Sequence, residues 1–146
     1  MSPSSSKSSS LIGKAKELEV ASTLVANGVY VFFPLVDAGF DLIAANRTGT
    51  EFVPVQVKFR ERDPALNLLP KDVVNFTGTN VVVAWVIGSG PRVRQWFIPF
   101  REWQTKAKAP NRKDGLAYIT IGEHAEWLAQ FEGETGVRRA FAKLFV

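Results

Sequence analysis

The chain has 146 residues, 46% of them apolar and 22% charged, and a formal charge of +4 at pH 7. That length suits one hydrophobic core rather than two, no apolar run is long enough to span a bilayer, and the mild positive field favours a polyanionic partner without identifying it. The absence of cysteine and the single histidine, His124, exclude disulfides, thiolate zinc sites, cysteine nucleophiles and sites built on paired imidazoles.

Residues 1–10, MSPSSSKSSS, are polar and lack the apolar stretch of a secretory signal. They read as a disordered Ser-rich tail ahead of one domain over 11–146, and the lack of cysteine fits a cytoplasmic protein. Leu11 to Asn27 has no proline and ends at Asn27-Gly28, which predicts a helix. Val29 to Phe33 is β-branched and aromatic before Pro34, a short strand. Asp41 to Ala45 and Glu51 to Arg60 predict two antiparallel strands joined by a connection of hairpin length. Asp63 to Thr79 carries Pro64, Pro70 and Gly78 and reads as loop, with a helical turn at Lys71 to Phe76. Val81 to Ile87 is a continuous apolar run, as in a strand buried on both faces, and Gln95 to Pro99 pairs with it after a GSGP turn. A short helix over Arg101 to Lys108, an edge strand at Ala117 to Ile121 and helices over Glu123 to Phe131 and Val137 to Phe145 complete the order. The class is α/β, a mixed central sheet flanked by helices.

A turn at Thr48-Gly49 pairs Arg47 with Thr50, and counting back along the ladder puts Asp41 opposite Gln56. Lys58 then follows on the same face, at a diagonal of roughly 7–8 Å from Asp41. The opposite face, Leu42 and Ala44 against Val53, Val55 and Val57, is core. An acid, an amide and an amine are thus gathered on one side of a hairpin whose other side is apolar. On the first helix, Leu18, Val20, Ala21, Leu24 and Val25 form one arc and Glu17 falls inside it, while Glu19 points away. A carboxylate there needs a metal ion or a lysine to offset its burial.

Gly13-x-x-x-Glu17, Pro34, Gly39-Phe40-Asp41-Leu42-Ile43 and Val55-Gln56-Val57-Lys58 together resemble the catalytic core of the PD-(D/E)XK nuclease superfamily. That superfamily includes Holliday-junction resolvases, restriction enzymes and some homing endonucleases. The resemblance spans about a third of the chain, and departs from the usual pattern at Gln56, where Asp or Glu is commoner. It implies a restriction-endonuclease-like domain and a metal-dependent endonuclease hydrolysing phosphodiester bonds in DNA, junction-resolving or site-specific. Asp41 would be the principal metal ligand, Gln56 a second through its amide oxygen, Val57 a third through its carbonyl, and Glu17 a direct or water-mediated ligand. Lys58 would stabilise the charge developing at phosphorus. Magnesium fits such an oxygen donor set, with manganese as a substitute. A two-fold homodimer would supply two centres.

Each residue has a plainer reading by itself. Asp41 suits a strand start, Gln56 and Lys58 a solvated strand face, and Glu17 a helix residue whose tip reaches water. Because Gln56 carries no charge, the alternative to an enzyme is a catalytically inactive nucleic-acid-binding module of nuclease descent. Asp37 competes with Asp41 for the acidic role but falls in the preceding loop. Arg60 and Arg62 continue the strand beyond Lys58 and are expected on DNA phosphates. Arg92, Arg94, Lys106, Lys108, Arg112 and Lys113 form a second basic group. The tryptophans suit the core better than a base-stacking surface.

Overall fold

A computed structural model describes residues 5–36, 39–62, 65–108 and 115–145, with side chains from Ser9 onward. The first helix, α1, spans Ser5–Ala26. It therefore begins inside the segment expected to be a disordered tail, of which residues 1–4 lie outside the described part. Serine costs a helix only a few tenths of a kcal/mol per residue, and each residue added to a formed helix gains a hydrogen bond. The buried row of α1 is Lys16, Val20, Ala21 and Leu24, while Leu18 and Val25 are more than half exposed. The expected arc is thus turned toward the Lys16-Val20-Leu24 ridge, whose i, i+4 spacing seats it on the sheet.

Five strands follow the order β1-β2-β3-β5-β6: β1 Tyr30–Phe32, β2 Leu42–Ala45, β3 Phe52–Arg60, β5 Val82–Ile87 and β6 Arg94–Pro99. β3 and β5 run parallel and the other pairs antiparallel, which makes the sheet mixed. The β2–β3 register is the expected one, Leu42 against Val55 and Ala44 against Val53. It is set by a longer connection than a two-residue turn. Asn46 N–H donates to the Glu51 carbonyl, and the Asn46 side-chain oxygen accepts from the Thr50 and Glu51 amides. Gly49, at φ 69°, takes the left-handed position of this loop.

Between β3 and β5 the chain forms β4, Ala65–Leu68, and α2, Pro70–Phe76. β4 was expected to be loop. It pairs antiparallel with β7, Ala117–Thr120, in a separate two-stranded sheet, so β7 is not an edge of the main sheet. Burial explains this strand, since all four β4 residues are buried and the Trp85 and Trp103 indoles donate to the Asn67 and Leu66 carbonyls at 3.2 Å. The remaining helices are α3, Phe100–Lys106, α4, Ala125–Ala129, and α5, Gly133–Ala140, with a final 3-10 turn at Ala142–Phe145.

Two cores sandwich the sheet. On one face Val20 and Leu24 of α1 and Val137 and Phe141 at the C-terminal end pack over Leu42, Ala44, Val53, Val55, Ala84 and Phe97. On the other, Leu66, Leu68, Phe76, Trp103, Ile119 and Phe131 cover Val83, Trp85, Trp96 and Ile98. Trp85, Trp96 and Trp103 are fully buried, and each large side chain removed from water stabilises the fold by about 1.5–3 kcal/mol.

Candidate active centre

Strand alternation gives β3 two characters. Val53 and Val55 point into the first core, while Gln56 and Lys58 lie on the second face beside Val83 and Trp85 of β5. β2 begins only at Leu42, opposite Val55, so β3 from Gln56 to Arg60 has no strand on its β2 side. Asp41 stands at that opening. Its amide donates to the Val55 carbonyl at 3.0 Å, and its carboxylate Oδ2 accepts the Val57 amide at 2.8 Å. Asp41 therefore bridges the residues on either side of Gln56, in place of a regular ladder pair. An extended residue presents its N–H and C=O to the same edge, so the Val57 carbonyl also points to the Asp41 side.

Glu17 of α1 is half-buried and its Oε1 lies 3.0 Å from Lys14 Nζ. A lysine thus meets part of the requirement that burial placed on this carboxylate. The charges of Glu17, Lys58 and Lys14 are all felt at the Asp41 carboxyl. Burial pushes the Asp41 carboxyl above its ordinary value. The Val57 hydrogen bond pulls it down, Glu17 pushes it up, and Lys58 and Lys14 lower it, with burial dominant. A cation beside this carboxylate would offset that cost.

Gln56 supplies the clearest mark. Its side-chain oxygen Oε1 is buried and accepts no hydrogen bond among the described residues. A buried acceptor without a partner costs about 1–3 kcal/mol, and an oxygen-binding cation would remove that cost. Among the described residues no three His, Cys, Asp or Glu side chains converge as a metal cluster. The ligands expected from the sequence are instead a mixture of the Glu17 and Asp41 carboxylates, the Gln56 amide oxygen and the Val57 carbonyl, oxygen donors of the kind magnesium and manganese take.

Lys58 Nζ donates to Asp72 Oδ2 at 2.8 Å, and both side chains are largely buried. Asp72, on α2, received no role from the sequence. Behind Pro70 it looks like an ordinary acidic residue of a helix start. Its inward aim depends on how the β3–β5 crossover places α2, a tertiary fact that local pattern does not carry.

The basic residues are more occupied than their sequence suggests. Arg60 donates to the Phe59 carbonyl at 2.6 Å and to Asn67 Oδ1 at 3.4 Å, whereas Arg62 is exposed. In the second basic group Arg94 forms a double hydrogen bond to Glu132 and Lys108 pairs with Glu123. Arg112, Lys113 and the competing acid Asp37 lie outside the described residues.

No protein-family model matches the chain, and neither does any curated protein. Among solved structures, it is similar to Hjc from Archaeoglobus fulgidus, a Holliday junction resolvase from an archaeal hyperthermophile. The TM-score is 0.54 at 20% identity, over 78% of this chain and 88% of that one. The chain therefore shares the fold of that structure, α/β with a mixed sheet flanked by helices. No helix among the described residues is long and apolar enough to cross a membrane.

Proposed function

We infer that this protein is a magnesium-dependent endodeoxyribonuclease that hydrolyses phosphodiester bonds in DNA. The observation that carries the reading is the unpartnered, buried Gln56 Oε1 next to Val57, whose amide holds the Asp41 carboxylate at the open edge of β3. In this reading Asp41, Gln56, the Val57 carbonyl and Glu17 hold the cation, magnesium or manganese. A cation held there would supply polarisation of a phosphate oxygen and a lowered pKa for an attacking water. The Lys58 ammonium stabilises the negative charge that grows on the phosphoryl oxygens as water attacks and the leaving oxygen departs. Arg62, exposed just past the catalytic strand, contacts a flanking phosphate. A two-fold homodimer would bring two such centres to one DNA, and the cytoplasm is the expected location.

The archaeal structure is of a protein that resolves Holliday junctions, which supports a branched DNA as the substrate class over a specific duplex sequence. The neutral amide at position 56 and the absence of a three-carboxylate cluster among the described residues favour one second reading, a DNA-binding module that has lost catalysis. Incubating the protein with a four-way junction, linear duplex and supercoiled plasmid, with magnesium or with chelator, separates them. Magnesium-dependent cleavage with preference for the junction supports the first reading. Junction binding without cleavage in magnesium or manganese supports the second.

A further inference from the structure

The Lys58–Asp72 pair joins the catalytic strand to an element that carries no other part of the site. Lysine has a flexible four-carbon stem and gives only a point charge, so its tip must be fixed by something else. Here the fixing group is a carboxylate 14 residues away on α2, 2.8 Å from Nζ. α2 is itself anchored, because Phe76 at its end is buried in the second core and meets the Phe100 ring edge-on at 5.7 Å. Stability alone explains the pair poorly. Desolvating two charges offsets most of their attraction, and apolar replacements of buried pairs are often neutral or better.

An ammonium group has three N–H donors, and Asp72 takes one of them. Lys58 directly follows Val57, whose amide the Asp41 carboxylate accepts, so the strand that carries the lysine also carries the attachment of the acid that would hold the cation. We propose that Asp72 is a positioning residue, which fixes the Lys58 ammonium so that its remaining N–H donors face the scissile phosphate. This rests on the nuclease reading above and adds to it a residue that never touches substrate.

The test is single-turnover cleavage of a four-way junction by the wild type, Asp72→Asn, Lys58→Met and the double variant, across magnesium and substrate concentrations. Asp72→Asn should slow cleavage at saturation by about 10²-fold, the usual effect of a misplacement near 1 Å. Half-saturation by magnesium and by DNA should stay unchanged. In the Lys58→Met background Asp72→Asn should cause no further loss, because Asp72 acts only through the lysine. If Asp72→Asn fails to fold, Asp72→Glu keeps the charge but moves the anchor by one methylene. It should lower the saturated rate and leave both half-saturation points alone.

A full or increased rate in a folded Asp72 variant overturns the proposal, as does a loss that multiplies with that of Lys58→Met. A wild type that cuts no DNA in magnesium or manganese overturns the nuclease reading and this proposal together, so the two failures are distinct.

Discussion

The Asp41 carboxylate accepts the Val57 amide at 2.8 Å while the Asp41 amide donates to the Val55 carbonyl at 3.0 Å. This two-point attachment holds an acid at the open edge of β3, beside Gln56 and within electrostatic reach of Lys58 and Glu17. It also sets a cost, because the same attachment draws the carboxylate away from water.

That cost gives a pH dependence. With its folded pKa raised by burial above the ordinary 3.8, Asp41 binds its proton more tightly in the folded state. Its contribution to stability is then full below the unfolded value and is lost as pH rises through the folded one. At pH 7 and without metal, Asp41→Asn, which retains an oxygen for the Val57 amide, should melt at a higher temperature than the wild type. At about pH 3, where the carboxyl is neutral in both states, the advantage should vanish. Thermal denaturation in chelator at the two pH values checks this, and a destabilised Asp41→Asn at pH 7 contradicts it.

Gly136 is buried in α5, and a Cβ there would run into the backbone of Phe131. Backbone cannot yield as a flexible side chain does, so Gly136→Ala should cost about 3 kcal/mol or more, a fall in melting temperature on the order of 10 °C. Gly122→Ala, where nothing lies within 4 Å of the added atom, serves as the control and should melt near the wild type. Equal midpoints for the two variants would refute the packing argument.

The two arginines beyond Lys58 should separate in a binding experiment. Arg60 is held by Phe59 and Asn67, while Arg62 is exposed. In chelator, Arg62→Ala should make the log–log salt slope of DNA binding shallower by roughly 0.9, one phosphate contact. Arg60→Ala should leave the slope alone and lower the melting temperature instead. Equal slope changes for both would place Arg60 on the DNA.

The hairpin was legible because its signals are local: β-branched alternation over Val53–Val57, an apolar run at Leu42–Ala45, and turn chemistry between Asn46 and Thr50. From it followed the β2–β3 register, which brings Asp41 up to the stretch of β3 around Gln56. The α1 face was read too broadly, since Leu18 and Val25 are as apolar as Leu24 and only packing exposes them. β4 was missed because Ala65–Leu68 is a short run flanked by Pro64 and Pro70, and its partner β7 lies about fifty residues on. Asp72 was missed for the related reason that its contact with Lys58 exists only once α2 docks. Arg60 reads as a free cation until β4 supplies Asn67.

The central claim is that Gln56 and Asp41 hold one catalytic cation, and a magnesium titration of junction cleavage by the wild type, Gln56→Glu and Asp41→Ala tests it most directly. The wild type should be inactive in chelator and Asp41→Ala inactive at every magnesium concentration. Gln56→Glu, which adds a charge at a ligand position, should reach half its maximal rate at roughly tenfold less magnesium, since ligand charge tunes the affinity of such sites. An unchanged or higher magnesium requirement for Gln56→Glu, or undiminished cleavage by Asp41→Ala, would contradict the account.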